Sequence, residues 1–199
     1  MNRRRFIRNI SLISAGFLFI SEKVQGKQPP VFSDYKPDPT LWKDNEINIA
    51  WIGHSTVLIN FFGTTILTDP VFYERIGVSI FGMTFGPSRF THPALTIDEI
   101  PKPDIILLSH AHMDHMDYES LSTITDKFSN EIDCVTAYNT ADVIAELKWK
   151  SLQEIDWGEE TELQGIKFKA NEVKHFGWRY PWEKDRSNGY MQDGEVIMQ

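Results

Sequence analysis

The apolar positions of this chain fall into short runs that either alternate or are uninterrupted, and turn residues separate them, so the pattern predicts strands more often than helices. Ile105-Ile106-Leu107-Leu108 has no polar interruption. A run of that length suits a strand covered on both faces, and the switch of polarity at Ser109 marks the turn that ends it. Ile47–Trp51 and Ser55–Phe62 are strand-like, Gly63-Thr64 fits a tight turn into Thr65–Thr68, and Asp69-Pro70 ends this meander. Ile132–Ala137 reads as a further strand, and Leu163, Ile166, Phe168 and Ala170 as a strand pair that stops just before His175. Gly189–Met191 and Glu195–Met198 read as a hairpin that turns at Asp193-Gly194. Glu119–Lys127 and Ala141–Lys148 carry a helical pattern, the second with Asn139 or Thr140 as its cap. Tyr73–Phe90, with Ile76, Val78, Ile80, Phe81, Met83 and Phe85, is too apolar for an ordinary loop; it either lines a substrate mouth or folds onto the core as a helix or hairpin.

The pattern changes twice before residue 47. Arg3, Arg4, Arg5 and Arg8 precede the apolar stretch Ile10–Ile20, which at about eleven residues is too short to span a bilayer and suits an export signal. Arg3-Arg4-Arg5-Phe6-Ile7-Arg8 also looks like a twin-arginine leader. Residues 1–26 therefore predict an exported protein, periplasmic or held to the membrane by the uncleaved leader, since no clean small-residue cleavage site follows. A disordered basic N-terminus on a cytoplasmic protein is the alternative. Residues 27–46 hold Pro29, Pro30, Pro37 and Pro39 and read as an extended lead-in to a domain over 47–199.

Composition narrows the rest. With 199 residues, 41% of them hydrophobic, one core is expected. The formal charge of −8 excludes a general nucleic-acid binder, because no basic stripe appears after residue 8. The single Cys134 lies in a strand-like run, where it serves as a small core residue.

Chemistry concentrates in Ser109-His110-Ala111-His112-Met113-Asp114-His115-Met116-Asp117. The chain has six His, and three of them fall here, interleaved with Asp, where composition alone does not put them. Imidazole and carboxylate are donors that a cation such as Zn²⁺ accepts, and the thiolates of a structural zinc site are missing. The ligands follow a buried strand, where loops on a rigid sheet edge build active sites. A catalytic metal site is the reading that follows. His92, inside Thr91-His92-Pro93, reads as a loop residue without chemistry.

Further segments stand at strand ends before and after the cluster: Trp51-Ile52-Gly53-His54-Ser55-Thr56, Thr68-Asp69-Pro70-Val71-Phe72, Phe85-Gly86-Pro87-Ser88-Arg89-Phe90 and Lys174-His175-Phe176-Gly177-Trp178-Arg179. Together with Leu107–Asp117 they resemble the metallo-β-lactamase superfamily, in its branch of N-acyl-phosphatidylethanolamine phospholipase D and the ascorbate-6-phosphate lactonases, over about residues 41–199. The resemblance implies an α/β fold, the αββα sandwich, with a metal pair at the lip between its sheets. It implies that His110, His112 and His175 hold the first ion and that Asp114 and His115 contribute to the second. Zn²⁺ is the implied metal and Mn²⁺ a substitute, supplying a hydroxide at neutral pH that Asp114 orients. His54 is placed beside the cleft by the Gly53 turn, either as a catalytic residue or only as a backbone hydrogen-bonding one. Asp69 is either a plain turn residue before Pro70 or a carboxylate that accepts a bond from a ligand imidazole. Phe176, Trp178, Trp182 and Tyr190 either wall a substrate pocket or pack in the core.

One departure follows His175. The superfamily completes its second metal site with a bridging Asp and a late His, whereas only Asp185 and Asp193 come later here, and no His does. The expectation is thus the N-terminal part of the sandwich, with two zinc ions in the complete fold and about one held tightly by this chain. The reading is a metal-dependent phosphodiesterase of the phospholipase D-like type, acting on a small molecule or phospholipid, with membrane-surface contact. The alternatives are a catalytically inactive metal-binding fragment and a lactonase-like hydrolase.

Overall fold

The computed structural model describes residues 36–80, 83–173, 179–180, 183 and 193–198. After a short 3₁₀ turn at Pro39–Leu41, capped by Asp38, strands β1 (Ile47–Gly53), β2 (Thr56–Phe61) and β3 (Thr64–Thr68) form an antiparallel meander. A small hairpin, β4 (Val78–Ile80) with β5 (Met83–Phe85), projects from the next segment. Strand β6 (Ile105–Leu108) then returns parallel to β3, and helix α1 (Tyr118–Lys127) leads to β7 (Asp133–Ala137) and β8 (Ser151–Ile155), both parallel. The sheet runs β1-β2-β3-β6-β7-β8. A second sheet packs on it, with β9 (Glu160–Leu163), β10 (Ile166–Val173) and β11 (Asp193–Met198) in the order β11-β10-β9.

The uninterrupted apolar run of β6 has its cause in this layering. Ile106 and Leu108 face the helical side with Leu58, Leu67, Cys134, Leu121 and Ile124, whereas Ile105 and Leu107 face the second sheet with Ile59, Ile66, Val135, Phe168 and Ala170. Each face is covered, so neither parity of the strand is polar. Burying four such side chains stabilises the fold by about 1.5–3 kcal/mol each before conformational entropy is set against it. The helix, the six-stranded sheet and the second sheet are three layers of the expected αββα sandwich.

Local chemistry corrects several expectations. The β2–β3 hairpin turns at Phe62-Gly63, one residue earlier than Gly63-Thr64, because both residues take positive φ, 50° and 91°, the combination that matches strand twist in a two-residue turn. Ala141–Lys148 is not an α-helix but a 3₁₀ turn at Ala141–Val143. Thr140 does not cap it: its hydroxyl donates to the carbonyl of Ala137, and the Glu154 carboxylate accepts the N–H groups of Thr140 and Ala141. Trp149 Nε1 then donates to Ile144 O, and the chain turns into β8, a strand the apolar pattern did not reveal. Its residues are half-buried apart from the exposed Glu154 and buried Ile155, so no alternation shows in the sequence. Asp193-Gly194 is not a turn; both residues pair within β11, opposite Val173 and Glu172 of β10. Gly189–Met191 lies outside the described residues, as do residues 1–35. Within Tyr73–Phe90 the backbone forms the β4–β5 hairpin, fastened where Thr84 donates to the Glu119 carboxylate at the start of α1.

Candidate metal centre

Strands β1, β3 and β6 run in one direction, so their C-terminal ends share one edge of the sheet, and the residues singled out by sequence gather there. The β1–β2 turn places His54 at φ 55° after Gly53 at φ 132°. A Cβ at Gly53 would sit 2.8 Å from Arg89 Nη2, so glycine suits both the backbone and the space. The indole of Trp51 donates to the His54 carbonyl at 2.8 Å and fixes the turn. His54 Nε2 lies 3.1 Å from Asp114 Oδ2, and Ser55 Oγ donates to the Asp114 carbonyl at 2.6 Å.

Asp69 ends β3 at φ 38°, and its carboxylate is the hub of the inner site. It accepts the Ser109 N–H at 2.8 Å, the Ser109 hydroxyl at 2.7 Å and His115 Nδ1 at 2.9 Å. A carboxylate only accepts, so His115 carries its proton on Nδ1 and presents Nε2 as the lone-pair nitrogen. Ser109 gives its one proton to Asp69, so at 2.9 Å it accepts from His110 Nδ1, and His110 too presents Nε2. Carboxylate partners that hold the other ring nitrogen in this way are how ligand imidazoles are oriented. Asp69 thus does more than turn the chain.

The loop after β6 folds as one tight turn, with the N–H groups of His115 and Met116 both directed at His112 O, at 3.0 and 2.7 Å. Asp117 then caps α1 by accepting Ser120 N at 3.0 Å and Ser120 Oγ at 2.6 Å. The rings of His110 and His112 stand 4.5 Å apart, those of His110 and His115 4.1 Å, and those of His54 and His115 6.3 Å.

Electrostatics divide the site into an inner and an outer part. Burial opposes charging His115, but the hydrogen bond and charge of Asp69, with the charge of Asp114, outweigh it and hold its pKa above the ordinary value. For Asp114 burial pushes the pKa up, yet the bond from His54 and the charge of His115 win and hold it below the usual carboxylate range. Burial dominates at Asp117, whose pKa is raised despite its bonds from Ser120. The side chains of Asp114 and His54 are 42% and 39% exposed, whereas that of Asp69 is 10% exposed.

The sequence reading brought His54, Asp69, His110, His112, Asp114 and His115 together, and the structure does so as well. His175, Phe176, Trp178, Trp182, Tyr190 and Asp185 lie outside the described residues. Among the described residues no three His, Cys, Asp or Glu side chains form a ready-made metal cage. The imidazoles of His110, His112 and His115 with the carboxylate of Asp114 are nonetheless a nitrogen and oxygen donor set that suits a divalent first-row ion. Sequence reasoning missed Ser109 as the link between Asp69 and two imidazoles, and Ser55; a hydroxyl at the polarity switch after a buried strand was the available signal.

Residues 64–194 match a family model described as the beta-lactamase superfamily domain. The chain is 36% identical over 122 residues to a mitochondrial N-acyl-phosphatidylethanolamine-hydrolyzing phospholipase D of Saccharomyces cerevisiae, a match covering 56% of this chain and 25% of that protein. Its fold is similar to that of an isothiocyanate hydrolase from Delia radicum gut bacteria, with a TM-score of 0.53 at 16% identity over 76% of this chain and 57% of that one. It is also similar to CmlA, a diiron beta-hydroxylase from Streptomyces venezuelae, with a TM-score of 0.52 at 20% identity over 78% of this chain and 28% of that one. The matched stretches span 21–25% of the length of the phospholipase D relatives.

Proposed function

The chain belongs to the beta-lactamase superfamily of metallo-hydrolases, and on that footing we propose that it carries the metal-holding part of a phosphodiesterase of the N-acyl-phosphatidylethanolamine phospholipase D type. The observation that carries this reading is the inner frame, in which one carboxylate, Asp69, orients His115 directly and His110 through Ser109 so that both present Nε2. The 36% identity to a phospholipase D, over 25% of that protein, supports the family, and the substrate class is proposed from it.

In this reading His110 and His112, with His175, hold one ion, and Asp114 with His115 contributes to a second; Zn²⁺ is proposed, with Mn²⁺ as a substitute. A divalent ion bound there supplies a Lewis acid for a phosphoryl oxygen and lowers the pKa of water toward neutrality. The protein's own side chains do the rest. Asp114, kept ionised by His54 and His115, accepts a proton or orients an attacking water at the exposed side of the site. His54, bonded to Asp114, is placed to steady a phosphoryl oxygen or to pass on that proton. Phe85 and Phe90, on and beside the β4–β5 arm, are 52% and 85% exposed and suit contact with a bilayer surface that presents the lipid.

The test incubates the full-length protein with vesicles containing N-palmitoyl-phosphatidylethanolamine and follows phosphatidic acid. Release that chelation abolishes and Zn²⁺ or Mn²⁺ restores is expected. Turnover that survives exhaustive chelation, or a lactone opened faster than any phosphodiester, overturns the reading.

A further inference from the structure

Arg179 is a buried cation that the chemistry above leaves without a role. The residue is 6% exposed, and its Nη1 donates to the carbonyls of Ala111 at 2.9 Å and Met116 at 2.8 Å. Ala111 and Met116 are themselves 1% and 0% exposed, so water does not replace the donor if it is lost. The two carbonyls bracket His112, Asp114 and His115. One nitrogen therefore closes a ring around three candidate ligands, drawing the ends of their loop together from outside while the N–H groups of His115 and Met116 hold it from within.

The backbone that carries the guanidinium is itself held in place. The backbone N–H groups of Arg179 and Tyr180 both donate to Glu183 Oε2, at 2.9 and 3.0 Å. The buried Asp117, next along the loop, acts electrostatically on Arg179 and on Arg89, a second buried arginine that donates to the Val71 carbonyl two residues after Asp69. In sequence Arg179 stands four residues after His175.

We propose that Arg179 is a positioning residue of the metal centre: it sets the spacing of His112, Asp114 and His115 before an ion arrives. Ordering these groups in advance removes that cost from binding, which raises affinity without a new contact to the ion. The proposal rests on the metal-holding reading of the site.

The test is Co²⁺ titration of the full-length protein, read by its d–d absorption, together with hydrogen exchange at the His115 and Met116 amides in chelated protein. Arg179→Met keeps the apolar stem and loses the donors. It is expected to weaken Co²⁺ binding tenfold or more, to alter the d–d bands and to speed exchange at both amides; Arg179→Lys, which keeps a cation that can donate, falls between. Ile106→Val controls for a general loss of stability and is expected to keep wild-type Co²⁺ affinity. Wild-type affinity and bands in Arg179→Met, or a loss no greater than in Ile106→Val, overturns the proposal. Should Arg179→Met not fold, Glu183→Ala frees the backbone that carries the guanidinium and is expected to weaken Co²⁺ binding several-fold; unchanged affinity there overturns the proposal equally. A wild-type protein that takes up no Co²⁺ overturns the metal-holding reading itself, whereas wild-type uptake with unaffected variants overturns only the role of Arg179.

Discussion

Asp69→Asn isolates the acceptor chemistry on which the inner site depends. Asparagine tolerates φ near 38° as well as aspartate does, so the backbone at the end of β3 is not the variable. The amide oxygen can still accept the Ser109 N–H, but the NH₂ group then faces Ser109 Oγ and His115 Nδ1, which at 2.7 and 2.9 Å both donate to the native carboxylate. Two charge-assisted bonds are lost in a side chain only 10% exposed, each contributing about 1.5–3 kcal/mol. Rotation of the Ser109 hydroxyl recovers part of one, which leaves a net loss of about 2–4 kcal/mol. His115 also loses the partner that keeps Nε2 as its lone-pair nitrogen, and changes of that kind weaken metal affinity about 10–100-fold. Urea unfolding in chelator measures the first effect, and competition with a chromophoric chelator for Zn²⁺ measures the second. An unfolding free energy within about 0.5 kcal/mol of wild type, with unchanged Zn²⁺ affinity, would refute the hub role.

Two further outcomes are expected. Burial raises the pKa of Asp133, but bonds from Lys150 at 2.7 Å, Ser151 at 2.6 Å and Gln164 outweigh it and hold the pKa below its ordinary value. A depressed carboxylate contributes stability above the unfolded pKa of about 3.9 and loses it as pH falls through the folded value. Asp133→Asn should therefore cost about 1–2 kcal/mol in urea unfolding at neutral pH, with the gap closing in acid, and an equal gap at both would contradict the argument. We also propose that residues 1–26 direct export, so Arg4→Lys with Arg5→Lys should leave the protein in the cytoplasmic fraction; wild-type protein found wholly there at its unprocessed mass would count against it.

The strands of this fold were legible where burial is one-sided or complete. In β6 the uninterrupted apolar run states that both faces are covered, and the helix after the cluster shows in the pattern of Glu119–Lys127, although its cap, Asp117, was not read. Legibility failed where side-chain hydrogen bonds override local propensity. Thr140 looks like a helix cap, yet its hydroxyl turns back to Ala137, and no feature of Ala141–Lys148 reveals that Glu154 takes the N–H groups a cap would have taken. The candidate ligands were legible because a metal constrains residue type and spacing within a few positions. The residues that orient them were not, since Ser109 and Arg179 act through contacts 40 and more positions away, which no local pattern encodes.

Stability and chemistry fall to different residues at this sheet edge. The frame consists of buried groups that bind backbone: Thr56 Oγ1 holds the Asp69 carbonyl and the Val71 N–H at 2.9 Å each, Ser120 Oγ holds the Phe72 N–H, and Arg179 holds the loop carbonyls. Each ties a loop at this edge to a neighbouring element, so the start of β2, the segment after β3 and the loop after β6 are held whether or not His54 and Asp114 touch. Those two side chains are the more exposed members, and the contact between them, screened by water, adds little to the folding free energy.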